Sequence, residues 1–191
     1  MEDLTPDQPQ PAAQAPVRTA AATTISWLRD LCISVVIAIV VILFLYQPVK
    51  VEGTSMMPSL IDQERIFINK FSYRFGISEI SRGDMVVFWF PGDPTKSYIK
   101  RVIGVPGDSV EVNDGIVSVN GEPLAESYVP REYRDHISWS RRVVPQDQFF
   151  VLGDHRSSSN DSRSWGMVPR HFIYGKAVFV YWPLDRIGVL H

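Results

Sequence analysis

Ser55 and Lys100, 45 residues apart, have the types and settings to do chemistry together. Ser55 sits in Val51-Glu52-Gly53-Thr54-Ser55-Met56-Met57-Pro58-Ser59-Leu60, where the preceding glycine lets a tight turn present its hydroxyl. Lys100 sits in Tyr98-Ile99-Lys100-Arg101-Val102-Ile103, which reads as a half-buried strand. Period-two alternation puts Tyr98, Lys100 and Val102 on one face and turns Arg101 to the other. An ammonium held among apolar neighbours loses its proton more easily. A neutral lysine then takes the proton of a serine hydroxyl, which makes the serine a nucleophile toward a peptide carbonyl without histidine. The plainer readings are an exposed lysine on a polar face and an ordinary loop serine.

A third segment is Gly153-Asp154-His155-Arg156-Ser157-Ser158-Ser159-Asn160-Asp161-Ser162-Arg163-Ser164-Trp165-Gly166-Met167-Val168-Pro169, a polar run between two apolar ones. It is either a solvated loop or an ordered one whose hydroxyls orient the lysine, braced by an Asp161–Arg163 pair. A Ser55, His155 and Asp154 or Asp161 triad stays open on residue types alone. One cysteine and scattered histidines give no metal-ligand spacing, so no metal and no cofactor is expected. Gly104-Val105-Pro106-Gly107-Asp108 reads as a turn and not a phosphate loop, since no helix follows it.

These residues need a scaffold. Residues 31–46 carry no charge and are apolar throughout, which predicts a membrane helix over about residues 25–48, with Trp27 and Tyr46 at interfacial positions. Residues 1–24, rich in Pro, Ala, Gln and Thr, read as a disordered tail. This segment is acidic at its start and holds a single basic residue, Arg18, unlike the n-region of a cleaved signal peptide, so an uncleaved anchor is expected. Flanking charges tie and leave the orientation open. Residues 49–191 read as short strands with Gly/Pro turns: 64–70, 84–90, 97–105, a hairpin of 109–112 and 116–119, 148–152 and 177–182. This predicts a mainly β, compact antiparallel barrel-like or sandwich-like domain behind a single N-terminal transmembrane helix. A net charge of -2 gives no electrostatic case for nucleic acid.

Four segments recur in a known order behind the apolar run: residues 55–60, Arg82-Gly83-Asp84-Met85-Val86-Val87-Phe88, residues 98–108, and the polar segment 153–169. Together, over about residues 53–183, they resemble the bacterial type I signal peptidases, a serine-lysine endopeptidase family. The resemblance implies Ser55 as nucleophile, Lys100 as general base, Ser159 as a hydrogen-bonding orienter of the lysine, and Asp161 and Arg163 as supports. It implies that Val51, Met56, Tyr98 and Ile99 line pockets for small side chains. It implies secretory preproteins as substrates, cleaved after a small-x-small site, with the catalytic domain on the outer side of a bacterial-type plasma membrane or an internal energy-transducing membrane. No family role falls on His155, a position where related enzymes often have asparagine. Some relatives carry a hydroxyl residue where this chain has Gly53, so the oxyanion hole is expected from the Ser55 N–H with the Gly53 backbone or a water.

Two other classes stay open. A self-cleaving serine-lysine regulator needs a DNA-binding segment, which a Pro/Ala tail joined to an apolar run does not supply. An inactive membrane-tethered β domain that binds peptides is disfavoured by the intact Ser55, Lys100, Ser159 and Asp161. Oligomeric state is left open.

Overall fold

The computed structural model describes residues 20–71 and 79–190. Its first unit, up to Val41, holds most of the helix α1, Ala20–Leu45. At 1.5 Å per residue, 26 residues span about 39 Å, more than a bilayer's hydrocarbon core of about 30 Å. The stretch Thr24–Val41 is long and apolar enough to cross a membrane, and none of it is buried in the structure. Arg29 and Asp30, the charges within it, pair with each other at 2.8 Å. The expected tail falls outside the described residues up to residue 19, and residues 20–24 are helical. The helix also stops short of Gln47 and Pro48, because Tyr46–Lys50 is the first strand, β1.

The second unit holds the remaining elements. After β1 come β2 (Arg65–Asn69), β3 (Met85–Phe90), β4 (Asp93–Gly104), β5 (Ser109–Asn113), β6 (Ile116–Val119), β7 (Glu122–Pro123), β8 (Trp139–Val143) and β9 (Gln148–Leu152). A one-turn helix α2 (Ser162–Trp165), β10 (Val168–Pro169), β11 (Ile173–Trp182) and β12 (Gly188–Val189) follow. One sheet runs β1-β2-β11-β3-β4-β9-β10 with β12 beside β11, and the other runs β7-β6-β5-β8. The pairings are antiparallel. The mainly β, antiparallel domain expected from the strand pattern is what forms.

The run Met85-Val86-Val87-Phe88 shows why the large sheet is stable. Met85 and Val87 enter one core cluster with Met56, Leu60, Ile66 and Ile68. Val86 and Phe88 enter another with Val102, Phe149 and Val151. A strand covered on both faces reads as a continuous apolar run and does not alternate. A third cluster joins the sheets through Ile103, Val110, Val117, Phe150 and Leu152. The β5–β6 hairpin turns at Asp114 and Gly115, with φ of 48° and 78°, the left-handed pair that a two-residue hairpin loop requires.

Candidate active site

Ser55 is presented by a turn tied down on both sides. The Val51 N–H donates to the Glu64 carbonyl at 2.7 Å, and the Gln63 N–H returns a bond to the Val51 carbonyl at 2.9 Å. Gly53, at φ 92°, sends its N–H to the Asp62 carboxylate at 2.8 Å. This bond holds the Asp62 carboxyl below the usual carboxylate range. The expectation that the Gly53 backbone serves the oxyanion hole is therefore corrected, because that N–H already has an acceptor. The Ser55 N–H, by contrast, has no acceptor among the described residues. Met56 and Leu60 then plunge into the core and pin the turn.

Lys100 reaches this turn from β4. Val86 stands opposite it in β3, and Tyr98 and Val102 share its face. Lys100 is only 4% exposed, and its Nζ lies 2.6 Å from Ser55 Oγ. Burial lowers its pKa to about 8, while the negative charges of Asp161 and Asp154 pull the other way. A substantial fraction of neutral amine near pH 8, in hydrogen-bond contact with the hydroxyl, is what a serine-lysine pair requires. Arg101 does turn to the other face, yet it is buried too. Its Nε and Nη2 bind both oxygens of Asp154, at 2.9 and 2.7 Å, and Nη1 donates to the Gly83 carbonyl.

The polar segment is ordered rather than solvated. Asp161 caps α2, pairs with Arg163 at 2.8 Å and accepts the Gly153 N–H at 3.2 Å. Ser162 Oγ accepts the Val151 N–H at 3.0 Å. Gly153 has no room for a side chain: a Cβ there would lie 2.2 Å from Ser159 Oγ and 2.4 Å from the Ser55 carbonyl oxygen. Ser159 Oγ is buried without a hydrogen-bond partner, so the expected bond to the lysine amine is not made in this conformation. His155 does not complete a triad. Its N–H donates to the Ser55 carbonyl at 3.1 Å and its Nδ1 lies 3.2 Å from the Thr54 carbonyl, while Asp154 and Asp161 are committed to arginines.

A groove of about 320 Å³ runs past the pair. Val51, Tyr98 and Ile99 line it. Met56 does not; it is almost fully buried in the core. The groove also takes Val49, Val87, Tyr174 and Asn160, which sequence reasoning missed. Val49 follows the apolar run and Tyr174 follows Phe172-Ile173, so no local pattern separates them from core residues. Gly153 was missed in the same way, since its need for close approach is a tertiary fact.

The sequence model of the family described as signal peptidase, peptidase S26, matches residues 24–182. A signal peptidase I of Leptolyngbya laminosa is 39% identical over 198 aligned positions, covering 97% of this chain and 93% of that protein. A probable signal peptidase I-2 of Synechocystis is 39% identical over 86% of this chain and 78% of that protein. Signal peptidase I P of Bacillus subtilis subsp. natto is 38% identical over 85% of this chain and 91% of that protein. With a serine and a lysine in contact beside an open groove, and with this likeness over most of its length, the chain belongs to the signal peptidase family, peptidase S26, and is a serine endopeptidase.

Proposed function

We propose that this protein is a membrane-anchored endopeptidase that removes signal peptides from secretory preproteins after a small-x-small site, with Ser55 as nucleophile and Lys100 as general base. The 2.6 Å contact between Lys100 Nζ and Ser55 Oγ carries this reading. Neutral Lys100 accepts the Ser55 proton as Oγ attacks the scissile carbonyl carbon. The tetrahedral oxyanion is met by the Ser55 N–H. The C–N bond then breaks, the lysine ammonium returns its proton to the leaving amine, and an acyl-ester on Ser55 remains. Water, deprotonated by Lys100, hydrolyses that ester. Ser159, whose buried hydroxyl lacks a partner, is assigned to orient the lysine amine during this cycle, because a buried unpaired hydroxyl gains by bonding it. Asp161 and Arg163 hold its loop.

The substrate is read as an extended segment in the groove between β1 and β4. In β4 the pairing with β9 begins only at Arg101, so residues 97–99 present backbone groups on that side for a peptide strand to bond. The short apolar walls of Val51, Ile99 and Val87 suit alanine-sized side chains. Residues 25–45 are assigned as the anchor, the tail to the cytoplasmic side and residues 49–191 to the outer side. Cleavage of an Ala-x-Ala preprotein by the detergent-solubilised chain, lost in Ser55→Ala and Lys100→Ala, is the expected result. Retained cleavage in either variant would refute the assignment.

A further inference from the structure

Three buried arginines stand in the segments that carry the catalytic residues: Arg101 beside the lysine, and Arg156 and Arg163 in the polar segment. A single stretch, residues 126–135, meets all three. Glu126 accepts both terminal nitrogens of Arg156, Nη1 at 2.8 Å. The Tyr128 ring centroid lies 4.1 Å from the Arg101 guanidinium carbon. Asp135 accepts Arg163 Nη1 at 2.5 Å. A fourth contact comes from Tyr133, whose ring packs edge-on against His155 at 4.5 Å. His155 is the residue that holds the Thr54 and Ser55 carbonyls.

The two ion pairs converge on one peptide. Arg156 Nε donates to the Gly153 carbonyl at 3.0 Å. Arg163 holds Asp161, which accepts the Gly153 N–H at 3.2 Å. Both sides of Gly153 are thus pinned, and Gly153 is the residue against which the Ser55 carbonyl and Ser159 Oγ rest. The arginine side chains are 3% and 4% exposed, so each guanidinium is desolvated and depends on its carboxylate.

The stretch is built to keep its shape. It links β7 to β8 in the second sheet, and its end is seated on the β5–β6 hairpin. The Gly115 N–H donates to the Ile137 carbonyl at 3.1 Å, and the Asp114 N–H to Ser138 Oγ at 3.0 Å. A Cβ on Gly115 would lie 2.0 Å from the Asp135 carbonyl oxygen, so hairpin and strap touch backbone to backbone.

We propose that residues 126–135 form a positioning strap for the Ser55–Lys100 pair, in which Glu126 and Asp135 hold the catalytic loop in place through Arg156 and Arg163. The inference rests on the reading of that pair as the catalytic dyad. The second sheet, which lines none of the groove, thereby acts on the reaction. Neither carboxylate touches substrate.

The test uses the full-length chain in detergent with an Ala-x-Ala preprotein, comparing wild type, Ser55→Ala, Glu126→Gln and Asp135→Asn, with rates normalised to the folded fraction from a thermal melt. Each strap variant is expected to lose about tenfold or more in kcat at a KM within about twofold, since small displacements of reacting groups are costly in rate. Asp135→Glu, which keeps the charge, is expected to recover part of the loss. Wild-type kcat per folded molecule in both variants would overturn the strap, as would a rise in KM at unchanged kcat. If Asp135→Asn does not fold, Glu126→Gln decides, by lowered kcat at constant KM or by wild-type kcat. An inactive wild type would overturn the dyad reading and the strap with it.

Discussion

Lys100 is the residue on which the proposed chemistry turns, and its burial has two measurable consequences. Its folded pKa of about 8 lies below the ordinary value of 10.5. The neutral, proton-accepting amine therefore accumulates as pH rises through about 8, and kcat/KM is expected to rise through that pH and level off above it. Linkage runs in the same direction. Between about pH 8 and 10.5 the unfolded chain binds more protons at this site than the folded one, so stability rises with pH. Below about 8 the full cost of the buried ammonium, about 3 kcal/mol, is present. Lys100→Met should thus lower kcat/KM by about 10²–10⁴-fold. In urea denaturation at pH 7 it should be no less stable than wild type. Gly153 answers to sterics alone. A Cβ at that position meets the Ser55 carbonyl oxygen, a backbone atom that cannot swing aside. Gly153→Ala is expected to displace the nucleophile and lower kcat by about 10²-fold, read by turnover per folded molecule.

At the scale of elements, a turn, a strand and a capped loop share the site. The Ser55 turn is anchored by Met56 and Leu60 below and by Glu64, whose Oε2 accepts the Ile61 N–H at 3.0 Å and whose Oε1 accepts Arg186 Nε at 2.5 Å. Strand β4 delivers Lys100 from a sheet buried on both faces. The polar loop supplies Asp161, and its His155 contacts the Thr54 and Ser55 carbonyls and the Tyr133 ring. His155→Ala keeps the backbone bond to Ser55 and loses the side-chain hydrogen bond to Thr54 and the ring contact with Tyr133. One such bond contributes about 0.5–1.5 kcal/mol, so activity should fall by no more than about tenfold. A loss as deep as that of Ser55→Ala would restore the histidine triad.

For the whole molecule, the proposed anchoring puts the apolar helix and the β domain in different solvents. Thr24–Val41 exposes Val36, Ile37 and Val40 in the described structure, a surface that water disfavours and a bilayer accepts. The full chain is expected to stay with membranes through an alkaline carbonate wash. The pair Val36→Arg and Ile37→Arg, each costing about 2.5–3.5 kcal/mol at a helix centre, should release it to the supernatant. The β domain carries its own core in three clusters, so these changes should leave turnover in detergent intact.

Composition and period alone determined the apolar helix, the antiparallel strands and the face shared by Tyr98, Lys100 and Val102, because these follow from local spacing. The hairpin at Asp114-Gly115 was equally legible, since its left-handed turn leaves few residue types suitable. The tertiary structure alone decided that Gly53 spends its N–H on Asp62, that Met56 leaves the groove for the core, and that Ser159 stands unpaired. It alone brought β1, with Val49, to the groove and set Glu126 and Asp135 against arginines 30 and 28 residues away, respectively. Such contacts join atoms far apart in the chain, and no local period encodes which carboxylate a buried guanidinium will find.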